Sequence, residues 1–394
     1  MPRRLVTLLC LAMVVATVAP GGSSRQGGPV PLAITHGPSL QVPGVSSMTV
    51  VWHTNRPAVS HVEYGPTEAL GQTAVNAEHG LIDNDRTSHV VRLSGLPPGK
   101  PCFYRVVSRE FLGYDKQHIV RWGETVTGDI RSFTTLDTAA RGYSFTVVSD
   151  IHENVARFGK LLSVVDWKVT PFVVFNGDMV NDFMTEGQPF AGFLDAAIEV
   201  FADTRPFVYV RGNHDVRGRF ARKLDEYFPT AAGRAYYSFD QGPVHFVVLD
   251  SGEDKVDGHE YYNGLVAFEP YRREQAEWLA TDLASPAARR ARFRVVLSHI
   301  PPRGGEGYAI DEVRRLWEPV ANTGRVDLWM SGHTHRVAAI PPAAGANRYH
   351  LVVNAPDTLT RVDVLRDRLE AAVIRENGEK VAAVTVLPAG GGAR

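Results

Sequence analysis

Five short apolar runs in this chain each end on side chains able to bind a metal ion. Phe145-Thr146-Val147-Val148 leads into Ser149-Asp150-Ile151-His152, and Phe172-Val173-Val174-Phe175 leads into Asn176-Gly177-Asp178, with Asn181 and Asp182 close behind. Pro206-Phe207-Val208-Tyr209-Val210 leads into Arg211-Gly212-Asn213-His214-Asp215. The run ending at Leu297 yields Ser298-His299, and the one ending at Trp329 yields Gly332-His333-Thr334-His335. Near-continuous β-branched and aromatic runs predict strands covered on both faces. Helical spacing over 154–167 and 190–201 separates the first three, so the pattern is strand–helix–strand, hence α/β. Ligands of such sheets gather outside the carboxyl ends of the strands. Fold and site are therefore constrained by the same recurrence.

The rest of the chain falls around this block. Further strands are predicted at 244–249, 293–297 and 326–329, with an amphipathic helix over 272–283 whose Ala276, Leu279 and Leu283 share one side. Runs at 351–354, 370–374 and 381–386 predict a closing antiparallel group, and the Gly-rich 388–394 predicts a disordered tail. Residues 27–135 read as all-β. Met48, Val50 and Trp52 alternate onto one face, as do Val91 and Leu93, and Arg56-Pro57, Tyr64-Gly65-Pro66 and Pro97-Pro98-Gly99 mark turns. Short alternating strands at this spacing predict a sandwich. Residues 136–142 read as a linker.

Arg3-Arg4 precede an apolar run over 5–19 and a Gly/Ser stretch at 21–24. This predicts a signal peptide over 1–24 and a secreted or periplasmic protein; a retained N-terminal membrane anchor is the rival, because Pro20 makes a poor cleavage point. No later segment is long and apolar enough to span a bilayer. The net charge of −1 excludes nucleic-acid binding by bulk charge. Cys10 lies within the signal, so the mature chain retains Cys102 alone and forms no internal disulfide.

Each strand-end motif is weak by itself. Asp150 could cap a helix with His152 exposed, Gly177-Asp178 could be a turn, His299 could be a core histidine, and His333 and His335 could be solvated. Together, in order and all at strand ends, they need five coincidences to be meaningless. The ordered set Asp-x-His, Gly-Asp, Gly-Asn-His-Asp, a lone His and Gly-His-x-His resembles the calcineurin-like metallophosphoesterases. Val62-Glu63-Tyr64-Gly65, 93–99, Tyr104-Arg105-Val106 and Phe133-Thr134-Thr135 resemble the fibronectin type III-like domain in front of purple acid phosphatase-type enzymes. The fold implied is two mixed β-sheets packed as a sandwich flanked by helices over 143–387, preceded by the all-β sandwich domain.

The resemblance also implies a dinuclear metal centre. Asp150, His152 and His335 would hold the first metal, Asn213, His299 and His333 the second, and Asp178 would bridge them. Imidazoles and carboxylates suit iron, zinc or manganese. Two such ions roughly 3.5–4 Å apart can clamp the attacking and leaving oxygens of a phosphoryl transfer, with a metal-bound hydroxide attacking phosphorus. The substrate expected is a small phosphomonoester; a phosphodiester or nucleotide is the rival within enzymes, and a non-catalytic adhesion or carbohydrate-binding protein the rival outside them. His214, not used as a ligand, is expected to assist the leaving group, with Asp215 orienting it and keeping it cationic.

Several positions depart from the family pattern. Purple enzymes place an iron-binding tyrosine three residues after the bridging aspartate; here it is Asn181, expected to cap the next helix or support the site from behind. Cys102 replaces a tyrosine usual after the Pro-Gly turn and reads as a small buried hydrophobe. No histidine follows His299 closely, so Arg303 is either a phosphate contact or a solvated loop arginine. His259 is a weaker candidate for substrate contact. His245 and His350 read as structural. His36, His53, His61, His79, His89 and His118 read as surface or edge-strand residues. Oligomeric state is not legible.

Overall fold

The structure is a computed structural model describing residues 30–388. The expected signal peptide and nearly all of the expected tail lie outside the described residues. From Leu32 onward the chain forms one compact unit. No helix among the described residues is long and apolar enough to cross a membrane.

The front part holds β1 (Ile34–Gln41), β2 (Ser47–Thr54), β3 (Ala58–Gly65), β4 (Gln72–Val75), the short pair β5 (Ala77–Glu78) and β6 (Leu81–Ile82), β7 (Ser88–Ser94), β8 (Pro101–Tyr114), β9 (Val120–Thr127) and β10 (Arg131–Thr134). β1, β2 and β7 form one layer, and β10-β8-β3-β4 form the other. Leu40, Met48, Val50 and Trp52 of the first layer pack on Val62, Tyr104, Val106 and Phe133 of the second. The period-2 alternation thus buries the face it predicted. Cys102 is buried in the same core, where burial pushes its thiol pKa up.

Then come β11 (Tyr143–Val148), α1 (Val155–Ser163), β12 (Val173–Asn176), a helix over 190–202 with α2 (Asp195–Ala197) at its centre, and β13 (Phe207–Val210). They are followed by β14 (Tyr237–Gln241), β15 (Val244–Val248), α3 (Phe268–Leu283), α4 (Pro286–Arg290), β16 (Phe293–Leu297), α5 (Tyr308–Thr323), β17 (Leu328–Ser331), β18 (Ala338–Ile340), β19 (His350–Val353), β20 (Thr358–Val364), β21 (Leu369–Arg375) and β22 (Lys380–Val386). One sheet runs β22-β21-β20-β11-β12-β13-β1-β2-β7 and a second runs β14-β15-β16-β17-β19-β18. β11, β12 and β13 are mutually parallel, as are β15, β16, β17 and β19.

Alternate residues explain the layering. Val147, Val174 and Val208 face inward onto Phe246, Val295 and Leu297 of the second sheet. Their neighbours Val148, Val173 and Phe207 face outward, under Phe158, Leu161 and Phe201 of the covering helices. On the other side, Val247, Val296 and Trp329 pack beneath Leu279, Val313 and Trp317 of α3 and α5. Full burial of each such side chain contributes about 1.5–3 kcal/mol. All strand carboxyl ends of the two parallel groups therefore emerge at one edge of the sandwich, where the motifs lie.

The front sandwich is bound into this body rather than tethered to it. β1 continues the first sheet through the parallel pair Gln41↔Phe207. Tyr104 donates its hydroxyl to the Asp203 carbonyl at 2.7 Å, and Ser88 donates to the Glu226 carbonyl at 2.7 Å. Within the predicted linker, Leu136 is buried and the Asp137 N–H donates to Gln241 Oε1 at 2.7 Å.

Four expectations change. His53 and His89 are buried, although His89 does stand on β7, the end strand of its sheet. His53 stacks against Tyr227 of the α/β body and lies edge-on to Phe190, so the seam covers it. The 351–354 strand belongs to the second sheet; β20, which the sequence reading passed over, pairs with β21 in the antiparallel group. Helix α5 was also passed over, although Ile310, Val313, Trp317 and Ala321 have helical spacing, because Pro319 interrupts the pattern.

Candidate metal centre

The site is built from turns that fold back over strand ends. Asp150, His152, Asp178, His333 and His335 all have positive φ, between 46° and 70°. Residues with a Cβ seldom adopt this region, at a cost of about 1–3 kcal/mol each, and such strain collects at functional sites. The turns are also crowded. A Cβ on Gly212 would collide with the Asp178 carboxylate, and one on Gly332 with that of Asp150. Those two glycines let the Asn213 and His333 turns press onto the carboxylates.

Two donor clusters result. Asp150, His152 and His335 each offer an atom within 4.8 Å of the others, and so do Asp178, His299 and His333. His335 Nε2 lies 3.4 Å from Asp150 Oδ1 and 3.2 Å from His152 Nε2. His299 Nε2 lies 3.0 Å from Asp178 Oδ2, and His333 Nδ1 lies 2.9 Å from Asn213 Oδ1. Asp178 also reaches His152 at 4.0 Å, which places it between the clusters. The structure thus brings together all seven expected ligands.

This donor set fits metal cations. Asp150 and Asp178 are buried, and the ion pairs they make among the described residues are with imidazoles, not with Lys or Arg. Two buried carboxylates without a fixed cation are costly unless positive charge joins them. His299 donates Nδ1–H to the Asn176 carbonyl at 2.9 Å, which leaves its buried Nε2 turned toward Asp178. That is the arrangement of a metal-binding imidazole whose other nitrogen is fixed by a carbonyl. Asn176 also donates to the Ser298 and Met330 carbonyls at 3.3 and 3.2 Å, stapling three strand ends.

Charges within the cluster respond to one another. Burial resists charge on Asp178, yet the adjoining His299 holds its carboxyl well below the usual range. Burial and then the His299 charge push His333 down to about 4. The hydrogen-bonding contact with Asp150 lifts His335.

Residues 143–337 match the model of the calcineurin-like phosphoesterase family. The chain carries a calcineurin-like phosphoesterase domain. It is similar to purple acid phosphatase 22 of Arabidopsis thaliana, 26% identical over 202 residues, covering 44% of this chain and 42% of that protein. The chain spans less than half the length of the purple acid phosphatases it matches in this way. In fold it is similar to purple acid phosphatase PPD1 from yellow lupin (Lupinus luteus) seeds, with a TM-score of 0.64 and 16% identity, covering 89% of this chain and 74% of that one. It is also similar in fold to PhoD, with a TM-score of 0.59 and 14% identity, covering 90% and 92%.

Within the phosphoesterase domain, His214 sits beside the clusters. Its ring centroid is 4.8 Å from that of His152, and it belongs to a third close group with His152 and Asp178. Its Nδ1 lies 2.5 Å from the Asn181 carbonyl oxygen, an acceptor, so Nδ1 carries the proton. Its backbone N–H donates to Asp178 Oδ1 at 2.8 Å.

Asp215 departs from its expected role beside the His214 ring: its carboxylate is turned to backbone amides. It accepts the N–H groups of Gly212 at 2.8 Å, Asp178 at 2.9 Å, Met179 at 3.2 Å and Val180 at 3.4 Å. Burial, then the Asp178 charge, push its pKa up to about 6. The side chain points into the turn rather than along the loop, so the Asn181 carbonyl orients His214 instead. Asn181 caps no helix. Asn154 caps α1, and the Asn181 amide donates to the His152 carbonyl at 3.3 Å and to Glu153 Oε2 at 3.2 Å.

The two expected substrate contacts do not join the clusters. Arg303 is paired with Glu318 of α5 through two bonds of 2.7 Å. His259 accepts the Tyr261 N–H at 3.1 Å within its own turn. His245, held by Asp240 and Asp282, is structural, as expected. The sequence reading overlooked Arg217, whose Nη1 lies 3.4 Å from His214 Nε2. Its signal was its place three residues past His214, which alone does not distinguish a site arginine from a solvated one.

Proposed function

We propose that this chain is an exported, dinuclear metal-dependent phosphoesterase that hydrolyses phosphomonoesters. The observation that carries the reading is a pair of His/Asp clusters meeting at Asp178, with His214 alongside. Asp150, His152 and His335 would hold one ion, Asn213, His299 and His333 the other, and Asp178 both. Iron, zinc and manganese all suit these donors. When bound, the ions supply Lewis-acid stabilisation of phosphoryl charge and a water acidic enough to react near neutral pH.

The chain's own residues do the rest. Asp150 and Asp178 contribute two negative charges against two divalent ions, because Asn213 is neutral, so the loaded site favours an anion. His214, held through Nδ1 by the Asn181 carbonyl, would steady the leaving oxygen through Nε2 or pass it a proton. Asp215 gathers the amides of both ligand turns and keeps Asp178 and Asn213 in register. The front sandwich, bolted on by Tyr104 and Ser88, would shield the flank of the site. Export rests on the basic-then-apolar N-terminal segment.

The decisive experiment is metal analysis of the purified protein combined with an assay panel of phosphomonoesters, phosphodiesters and nucleotides. About two metals per chain and fastest turnover of monoesters are expected. Preferred cleavage of diesters or nucleotides would replace the monoesterase reading. A folded protein that stays inactive on every ester after loading with zinc, iron or manganese would end the enzyme reading.

A further inference from the structure

We propose that Arg217 is the side chain that grips the phosphoryl group at the His214 edge of the centre; the inference rests on the phosphoesterase reading above. Arg217 Nη1 lies 3.4 Å from His214 Nε2. The Asn181 carbonyl engages His214 Nδ1–H, so Nε2 is the ring atom that faces the guanidinium. Phosphoryl oxygens are acceptors and need donors. The guanidinium beside His214 has only donors, and it keeps its charge at any working pH.

The guanidinium is also held ready. Its Nε lies 3.1 and 3.0 Å from the two Glu253 oxygens, and Nη2 donates to Glu253 Oε2 at 2.8 Å and Asp254 Oδ1 at 3.0 Å. Glu253 is itself buried and receives the Tyr262 hydroxyl at 2.8 Å. Nε and Nη2 are thereby occupied, and Nη1 is the end left at His214. The Arg217 guanidinium carbon lies 5.3 Å from the ring centroid of Tyr261, whose exposed ring limits its swing. A side chain already fixed loses little conformational freedom when it binds. Arg303, the arginine the sequence offered for this duty, is committed to Glu318.

The competing account is that Arg217 merely braces the 250–265 loop. The two accounts separate in the full-length, metal-loaded protein with inorganic phosphate as probe, read as competitive inhibition and by calorimetry. Arg217→Gln is expected to weaken phosphate binding about 10- to 100-fold, the range of one charge-assisted contact. KM should rise, metal content should hold at the parent's value, and Arg217→Lys should recover part of the loss. Glu253→Gln loosens the brace but leaves the guanidinium, so it should lose several-fold less affinity. If the stranded Glu253 carboxylate prevents Arg217→Gln from folding, the double variant Arg217→Gln/Glu253→Gln removes that charge and must show the same loss.

Unchanged phosphate affinity in Arg217→Gln or the double variant overturns the proposal. So does Glu253→Gln losing as much as Arg217→Gln, which assigns Arg217 to bracing. A parent that holds its metals yet neither binds phosphate nor hydrolyses any ester sinks the phosphoesterase reading and this inference together. A parent that does both, beside an unaffected Arg217→Gln, sinks the inference alone.

Discussion

The Asp215 carboxylate accepts the backbone N–H of Asp178 at 2.9 Å, across 37 positions of sequence. It thereby locks the turn carrying Asp178 to the turn carrying Asn213. Removing it leaves the amides of Gly212, Asp178, Met179 and Val180 short of an acceptor in a buried place. Asp215→Ala is expected to lower stability by about 3–5 kcal/mol and to reduce metal content. Denaturant unfolding and metal analysis check both. Full metal content with slowed turnover alone would return Asp215 to the catalytic role first expected of it.

His214→Ala separates chemistry from assembly. The imidazole contacts a carbonyl and an arginine, while the tie to Asp178 runs through the backbone and survives the substitution. Turnover should fall about 10²- to 10⁴-fold at unchanged metal content. Steady-state kinetics with metal analysis decides, and undiminished turnover removes His214 from the mechanism.

Arg303→Ala should leave KM for a phosphomonoester within about twofold of the parent, because the guanidinium is spent on Glu318. The expected cost is in stability, about 1–3 kcal/mol, since Glu318 is buried and loses its cation. A KM raised tenfold or more would show that Arg303 leaves Glu318 for the substrate.

Asn181 occupies the place of the tyrosine whose phenolate colours purple enzymes, and its amide faces the 152–153 turn. The iron-loaded protein should therefore lack a visible phenolate-to-iron band. Absorption spectroscopy is sufficient, and a purple preparation would contradict the assignment.

Buried histidines set opposite pH limits on stability. Burial resists charge on His245, but hydrogen bonds to Asp240 and Asp282 outweigh it and raise the pKa from 6.5 to about 9. Its contribution is fully present below 6.5 and is lost as pH rises through 9. Burial lowers His53 from 6.5 to about 3, helped by the His36 and His89 charges, and lowers His89 to about 4. Those contributions are present above 6.5 and are lost as pH falls toward 4 and below. In melting experiments, His245→Gln should destabilise most near pH 6 and least above pH 9. A gap from the parent that does not change with pH would show that the ion pairs contribute nothing.

Much of the site was legible because its parts are local. Asp150 and His152, Gly177 and Asp178, Gly212 and Asn213, and His333 and His335 each sit on one turn after one buried strand. Strand burial was legible in turn because Val147/Val148 and Val173/Val174 are apolar on both faces. β20 was missed because Thr358–Val364 mixes Thr, Arg and Asp into its alternation, and its identity as a strand depends on pairing with β11. His53 was misjudged because its cover, Tyr227 and Phe190, comes from another part of the chain.

The sequence by itself determined which metal-competent side chains this protein offers, in what order, and that they stand at strand ends. Burial pattern, turn residues and donor type are properties of a few consecutive positions. Only the tertiary structure decided which charges meet. Asp215 with the Asp178 amide, Arg217 with Glu253, Arg303 with Glu318 and His214 with the Asn181 carbonyl are partners distant in sequence. Their choice depends on sheet order and loop path, because a hydrogen bond or ion pair acts over a few ångströms of space whatever the separation along the chain.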